Sequence, residues 1–147
     1  YLNRALTGDR DNNDFLAAEA ELLTAVHLSP FDLGYRLALG GLYYQWGLLF
    51  DADRLNSALE AYQQAAKLSP TDPEVYTRWG LVYHALKRYE EAIEKYHQAL
   101  NLDPYHVLAY TYLGDTYTAQ GRKDEALGAY KNARQASQMV NALVSKR

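Results

Sequence analysis

The sequence predicts an all-α fold in which antiparallel helix pairs stack into a solenoid. Two observations carry this. Residues 73–106, PEVYTRWGLVYHALKRYEEAIEKYHQALNLDPYH, form a 34-residue unit that the stretch from Val107 repeats position for position: Tyr76, Gly80, Tyr83, Ala92, Tyr96 and Ala99 recur as Tyr110, Gly114, Tyr117, Ala126, Tyr130 and Ala133. Within the unit, apolar residues at Trp79, Val82, Tyr83 and Leu86, then at Ala92, Ile93, Tyr96, Ala99 and Leu100, follow the three-and-four spacing of two helices with one buried stripe each. Each segment is too short to be stable alone, so it must bury its stripe against neighbours, and a fixed period makes those neighbours copies of itself.

Taken in order, Tyr1 to Leu6 reads as the last turns of a first helix A whose beginning is cut away. With no methionine before Tyr1, the chain reads as a fragment or a processed form. Asp9, Asp11 and Asn13 alternate oxygen side chains as a calcium loop does. The position that needs glycine holds Asp14, and the twelfth position is Ala20, so a solvated turn ending in an Asp14 helix cap is expected instead. Ala18, Leu22, Ala25 and Pro30 then mark a helix B, which makes residues 1–32 a truncated repeat.

Residues 33–72 form a repeat with an insertion. Pro30 and Pro70 are 40 residues apart where Pro70 and Pro104 are 34 apart, so six residues are added, placed by the pattern around Trp46 to Asp53. Gly47 is expected to end helix A, Leu48 to Phe50 to fold back on the repeat, and Asp51 or Asp53 to cap helix B. The sharper alternative is that Trp46, Leu48, Leu49 and Phe50 form an exposed apolar knuckle that docks a partner, another copy or a membrane surface.

The unit 73–106 starts at Asp72-Pro73, where a carboxylate can cap free amides and proline suits the first helical position; Ser69-Pro70 and Asp103-Pro104 are stops. Gly80 and Ala92, like Gly114 and Ala126, are small where two helices must approach closely. Glu90, Glu91 and Glu94 open a helix where negative charge is favoured, and Glu91 is placed to pair with Lys95. Residues 107–138 repeat the unit but have Gln138 where proline is expected. Beyond it, in 139–147, Ala136, Val140, Leu143 and Val144 continue the apolar stripe as a long terminal helix or a separate cap, with Lys146 and Arg147 suited to a helix end.

Composition narrows the function. The chain has 147 residues, 48% hydrophobic and 22% charged, as in ordinary globular domains. No apolar run is long enough to span a membrane. Its net charge is −3, with Lys and Arg interleaved among Asp and Glu, which argues against a nucleic-acid footprint. The absence of cysteine removes disulfides, thiol nucleophiles and zinc-cysteine sites and leaves the compartment open. His27, His84, His97 and His106 fall in different repeats with no metal-ligand spacing. No metal, cofactor or catalytic residue is therefore expected.

The pattern aromatic-x2-Leu-Gly-x2-Tyr at Tyr76, Trp79, Gly80 and Tyr83, at Tyr110, Leu113, Gly114 and Tyr117, and more weakly at Arg36, Leu39, Gly40 and Tyr43, resembles helix A of the tetratricopeptide repeat (TPR) family. Helix B of that family is similar to Ala92, Tyr96, Ala99 and Pro104 and to Ala58, Tyr62, Ala65 and Pro70. The resemblance implies a right-handed superhelical solenoid that binds a protein or peptide in a concave groove lined by helix A. Carried over, the groove positions are Leu37, Tyr44, Gln45, Glu74, Thr77, Arg78, Leu81, His84, Leu108, Thr111, Asp115 and Thr118. Where TPR domains that clamp acidic chaperone tails need Lys, Asn, Lys and Arg, this chain has Leu37, Gly41, Glu74 and Arg78, so only one of four fits. The lining points instead to apolar anchors at Leu37, Tyr44, Leu81 and Leu108, with Glu74, Arg78, His84 and Asp115 setting orientation. An uncovered end repeat would allow a homodimer. The segments Trp46–Leu55 and Tyr76–Leu86 also look like the TPR tails of bacterial O-antigen ligase or polymerase-like membrane proteins, which would make the chain a soluble appendage of surface-polysaccharide synthesis.

Overall fold

The computed structural model describes residues 12–146, which fold into seven helices with no strand among them: an all-α helical repeat solenoid. The helices fall into two compact units, residues 1–70 and 71–147. Tyr1 to Leu6, Asp9, Asp11 and Arg147 lie outside the described residues, and with them the truncated first helix and most of the calcium-like run.

The first unit contains α1 (Asn12–Leu28), α2 (Leu33–Leu49) and α3 (Arg54–Leu68). α2 packs along α3, and α1 packs on α2. Asn13 and Asp14 are part of the first turn of α1, and Asp14 is buried; it stands inside the helix rather than capping it from outside, since helical structure begins two residues earlier. Phe15, Ala18 and Leu22 of α1, Leu39, Leu42, Tyr43 and Trp46 of α2 and Leu55, Ala58, Tyr62 and Ala65 of α3 are buried. The six extra residues of this helix pair are not a loop. α2 has 17 residues where the next helix A has 13, the connection to α3 adds one and α3 adds one more. Gly47 consequently lies within α2 and does not end it: a Cβ there would stand 2.6 Å from Leu55 Cγ, so the glycine lets the added turn press against the start of α3. Asp53 precedes α3 without a side-chain cap, while Asp51 accepts from the Asp53 amide at 3.2 Å and pairs with Arg54 at 3.4 Å.

The second unit contains α4 (Pro73–Ala85), α5 (Tyr89–Leu102), α6 (Val107–Ala119) and α7 (Lys123–Val144). Pairs α4–α5 and α6–α7 pack along each other, α5 joins α6, and α4 touches α6. Asp72 Oδ1 accepts from the Glu74 amide at 2.9 Å with Pro73 at the first helical position, and the amides of Ser69 and Asp103 close the preceding helices on Ala65 and Ala99 carbonyls. Ala92, Ile93, Tyr96, Ala99 and Leu100 form a core with Ala109, Leu113 and Ala129. Close approach explains the small residues: a Cβ on Gly80 would meet Tyr96 Cε1 at 2.5 Å, and one on Gly114 would meet Tyr130 Cε1 at 2.6 Å.

The turn between helices repeats as faithfully as the core. Lys87 and Gly121, one period apart, both have positive φ, of 59° and 73°. Each sends the next residue back, so that the Arg88 and Arg122 amides donate to the Tyr83 and Tyr117 carbonyls at 2.9 Å and the guanidinium groups lie over the same tyrosine rings at 4.7 and 4.6 Å. Arg88 then pairs with Glu91, and Arg122 with Glu125. Glu91 is thereby committed to Arg88 rather than to Lys95, because the arginine is brought to it by the backbone turn. Hydrogen bonding to Arg88 holds the Glu91 carboxyl below the usual range. α7 runs unbroken to Val144, so the C-terminal stripe is a helical extension, and there is no separate cap within it.

Candidate functional site

In each pair the first helix, α2, α4 or α6, corresponds to helix A. On α4, Glu74, Arg78, Leu81 and His84 are half-buried, whereas Thr77 is 1% exposed and bonds the Pro73 carbonyl at 2.9 Å. Thr77 therefore offers nothing to a ligand. Its hydroxyl is spent on its own helix, where the backbone of a packed face leaves no other partner. Arg78 Nε donates to Glu74 Oε1 at 2.7 Å, and the other Glu74 oxygen faces His106 Nε2 at 3.5 Å. His84 Nδ1 lies 2.8 Å from Thr116 Oγ1, which also donates to the Tyr112 carbonyl, and its ring meets Tyr89 edge-on.

On α6, Leu108, Asp115 and Thr118 are exposed and Thr111 is half-buried. Asp115 Oδ1 accepts from the Tyr130 hydroxyl at 2.6 Å, and that hydrogen bond raises the Tyr130 pKa. Within residues 71–147 Leu81 of α4 is thus half-buried and Leu108 of α6 exposed, and Glu74, Arg78, His84 and Asp115 each have a partner of their own. In the first unit Leu37, Tyr44 and Gln45 of α2 are each half-buried.

The knuckle splits into core and surface. Trp46 is 1% exposed: its ring stacks on Phe15 at 5.6 Å, its Nε1 donates to Asn12 Oδ1 at 2.7 Å, and the Arg54 guanidinium lies 3.8 Å from its centroid. Trp46 is therefore withdrawn from the contact residues, because the added turn of α2 points it into the core. Leu48, Leu49 and Phe50 are each 51% exposed, although Phe50 still meets Phe15 edge-on at 5.8 Å.

Behind Trp46, the Tyr43 hydroxyl donates to Glu19 Oε1 at 2.8 Å, and Arg54 reaches the same oxygen at 3.1 Å. Burial and then the Glu19 carboxylate push the Tyr43 pKa well above its ordinary 10.0. The protonated hydroxyl is thus favoured in the fold, so this contribution is complete below pH 10 and is lost as pH rises from there toward the folded value. Tyr43→Phe is expected to lower stability at pH 8 by about 1 kcal/mol. It should also flatten the fall in urea midpoint above about pH 10; urea titrations followed by Trp46 fluorescence in a Trp79→Phe background check both. Equal slopes for the two proteins would dissociate Tyr43 from alkaline unfolding.

Among the described residues no cluster of three His, Asp or Glu converges as a metal would require, and no helix is long and apolar enough to cross a membrane. Family models of the tetratricopeptide repeat match residues 72–139 and residues 48–87. Residues 48–139 belong to the tetratricopeptide repeat family. Among solved structures, TTC0263, a thermophilic TPR protein of Thermus thermophilus, is similar at 25% identity with a TM-score of 0.77, covering 88% of this chain and 69% of its own. MamA of MSR-1 is similar at 22% identity, TM-score 0.71, covering 95% and 74%. MamA of Desulfovibrio magneticus RS-1, residues 41 to the end, is similar at 19%, TM-score 0.70, covering 86% and 68%. The MamA likenesses show the fold. No curated protein matches the sequence. None of these TPR matches supports the resemblance to O-antigen ligases, and none points to catalysis.

Proposed function

We propose that this TPR chain is a protein-interaction scaffold whose helix-A face in residues 71–147 holds a peptide segment of a partner. The observation that supports it is that two A helices in contact carry exposed Leu108 and half-buried Leu81, and that the polar pairs Glu74–Arg78 and Asp115–Tyr130 on these helices are already oriented. Preoriented polar groups around apolar anchors lower the ordering cost of binding. The face has one acidic carboxylate free of an arginine, at Asp115, and one arginine tied to Glu74, so it favours neither an acidic nor a strongly basic tail. On α2, Leu37, Tyr44 and Gln45 are the corresponding contacts.

Leu81→Glu tests this. Placing a carboxylate where an apolar anchor docks should weaken capture of the natural partner by about tenfold or more, with the circular dichroism spectrum unchanged. Leu127→Glu, on an exposed position of α7, serves as the control that leaves capture intact. Undiminished capture by Leu81→Glu would move the contact to Leu48, Leu49 and Phe50.

A further inference from the structure

Helices α5, α6 and α7 line an open crevice of about 480 Å³ that includes none of the groove positions. Six of its residues matter: Tyr110, Leu113 and Tyr117 from α6, and Gly128, Ala129 and Asn132 from α7. One period earlier the same positions are Tyr76, Trp79, Tyr83, Glu94, Lys95 and Gln98. There the Trp79 indole stacks with Tyr76 at 6.4 Å and with Tyr83 at 6.3 Å. The Lys95 ammonium sits 4.0 Å from the indole centroid and donates to Gln98 Oε1 at 3.2 Å. The earlier repeat fills this place with its own indole and ammonium. The last repeat keeps both tyrosines and a side-chain amide but has leucine and alanine where the two filling side chains stood, and glycine in place of Glu94.

We propose that this crevice receives a tryptophan side chain and an adjacent lysine from a protein partner, which take the positions that Trp79 and Lys95 hold in the preceding repeat. The ring lies between Tyr110 and Tyr117, and the ammonium is accepted by the Asn132 carbonyl. Arg122 over Tyr117 is no obstacle, because Arg88 lies over Tyr83 in the same way while Trp79 stacks on that ring. The lining itself holds neither lysine nor arginine, and its one carboxylate, Glu125, is paired with Arg122, so the amide of Asn132 and the two tyrosine rings are what meet the ammonium. The equivalent crevice of the first unit, about 350 Å³, is lined by Arg36 and Glu60 in place of Tyr110 and Gly128, which leaves it without the paired tyrosines.

The test uses the full chain, isotope-labelled, and three blocked tripeptides: Lys-Trp-Lys, Lys-Ala-Lys and Glu-Trp-Glu. Lys-Trp-Lys should shift the amides of Tyr117, Gly128 and Ala129 saturably, with a dissociation constant on the order of 1 mM or tighter, and the other two should bind about tenfold more weakly. The double variant Leu113→Trp/Ala129→Lys rebuilds the filled repeat and should lose the interaction about tenfold or more. Gly128→Lys, at a position with nothing within 4 Å of its Cβ, should lose it by charge repulsion without disturbing the fold. Equal affinity for the three peptides, or unaltered Lys-Trp-Lys binding by Gly128→Lys, would overturn the proposal. Neither result bears on the helix-A face, whose test is Leu81→Glu.

Discussion

Gly80→Leu is expected to destabilise residues 71–147 by about 3 kcal/mol or more, a large share of what holds a domain of this size together. Even the first added atom is excluded: a Cβ at residue 80 would lie 2.5 Å from Tyr96 Cε1 and 2.8 Å from its Cδ1. Tyr96 cannot step aside, since its side chain is fully buried and its ring is packed 6.3 Å from that of Tyr112. The clash must therefore be relieved by separating α4 from α5, which opens the core at Ala92 and Val82. Gly80→Ala separates sterics from backbone preference. Alanine favours the helix by about 1 kcal/mol over glycine, yet the ring contact should make this variant less stable than the wild type. At Gly128 nothing lies within 4 Å of an added Cβ, so Gly128→Ala should gain about 1 kcal/mol from the same propensity. Urea unfolding monitored by far-ultraviolet circular dichroism and Trp79 fluorescence should order the midpoints Gly128→Ala, wild type, Gly80→Ala, Gly80→Leu. A Gly80→Leu midpoint indistinguishable from the wild type would show that the helices do not need this approach.

The close approach was legible in the sequence because small residues recur at Gly80 and Ala92 and at Gly114 and Ala126 one period on, whereas Tyr96 and Tyr130 as the rings those glycines meet appear only with the fold. The helix starts and stops at Asp72-Pro73, Ser69-Pro70 and Asp103-Pro104 were legible for the same kind of reason: capping and proline geometry are local. Legibility failed where the period was broken. Between Pro30 and Pro70 nothing in the pattern distinguishes a six-residue loop from one more helical turn, and the glycine that looked like a stop is a packing device against Leu55. Thr77 illustrates a different gap. A position number places a side chain on a helix, but whether its hydroxyl faces a ligand or its own backbone is decided by packing. The crevice beside Tyr110 and Tyr117 was visible in principle as the exchange of Trp79 and Lys95 for Leu113 and Ala129, but a repeat is read first for what it keeps. On the helix-A face the sequence offered candidate anchors and the i,i+4 spacing of Glu74 and Arg78, while Tyr130 and Thr116, the partners of Asp115 and His84, lie on other helices and appear only with the fold.

Trp46→Ala should cost the first unit about 3–5 kcal/mol, more than any change to the neighbouring Leu48, Leu49 and Phe50. The indole fills the space between α1 and the added turn of α2, and removing it leaves Phe15 without its stacked partner, Asn12 Oδ1 without its donor and the Arg54 guanidinium without the ring beneath it. These losses differ in kind, and Trp46→Phe divides them: a phenyl ring retains much of the apolar contact with Phe15 but not the Nε1 hydrogen bond, so its cost should be nearer 1–2 kcal/mol by the usual worth of such a bond plus a small void. Leu48→Ser and Leu49→Ser, at half-exposed positions, should each stay within about 0.5 kcal/mol of the wild type. Circular dichroism during urea unfolding measures the series, with Trp79 fluorescence reporting residues 71–147 separately. If Leu48→Ser or Leu49→Ser instead matched Trp46→Ala, those leucines would be core residues and the apolar surface at the end of α2 would have no free face to offer a partner. The expected separation has the opposite consequence. A buried indole holds the extra helical turn to the core, and the two leucines and Phe50 that follow it remain half in solvent, free to meet a partner without loss of the packing beneath them.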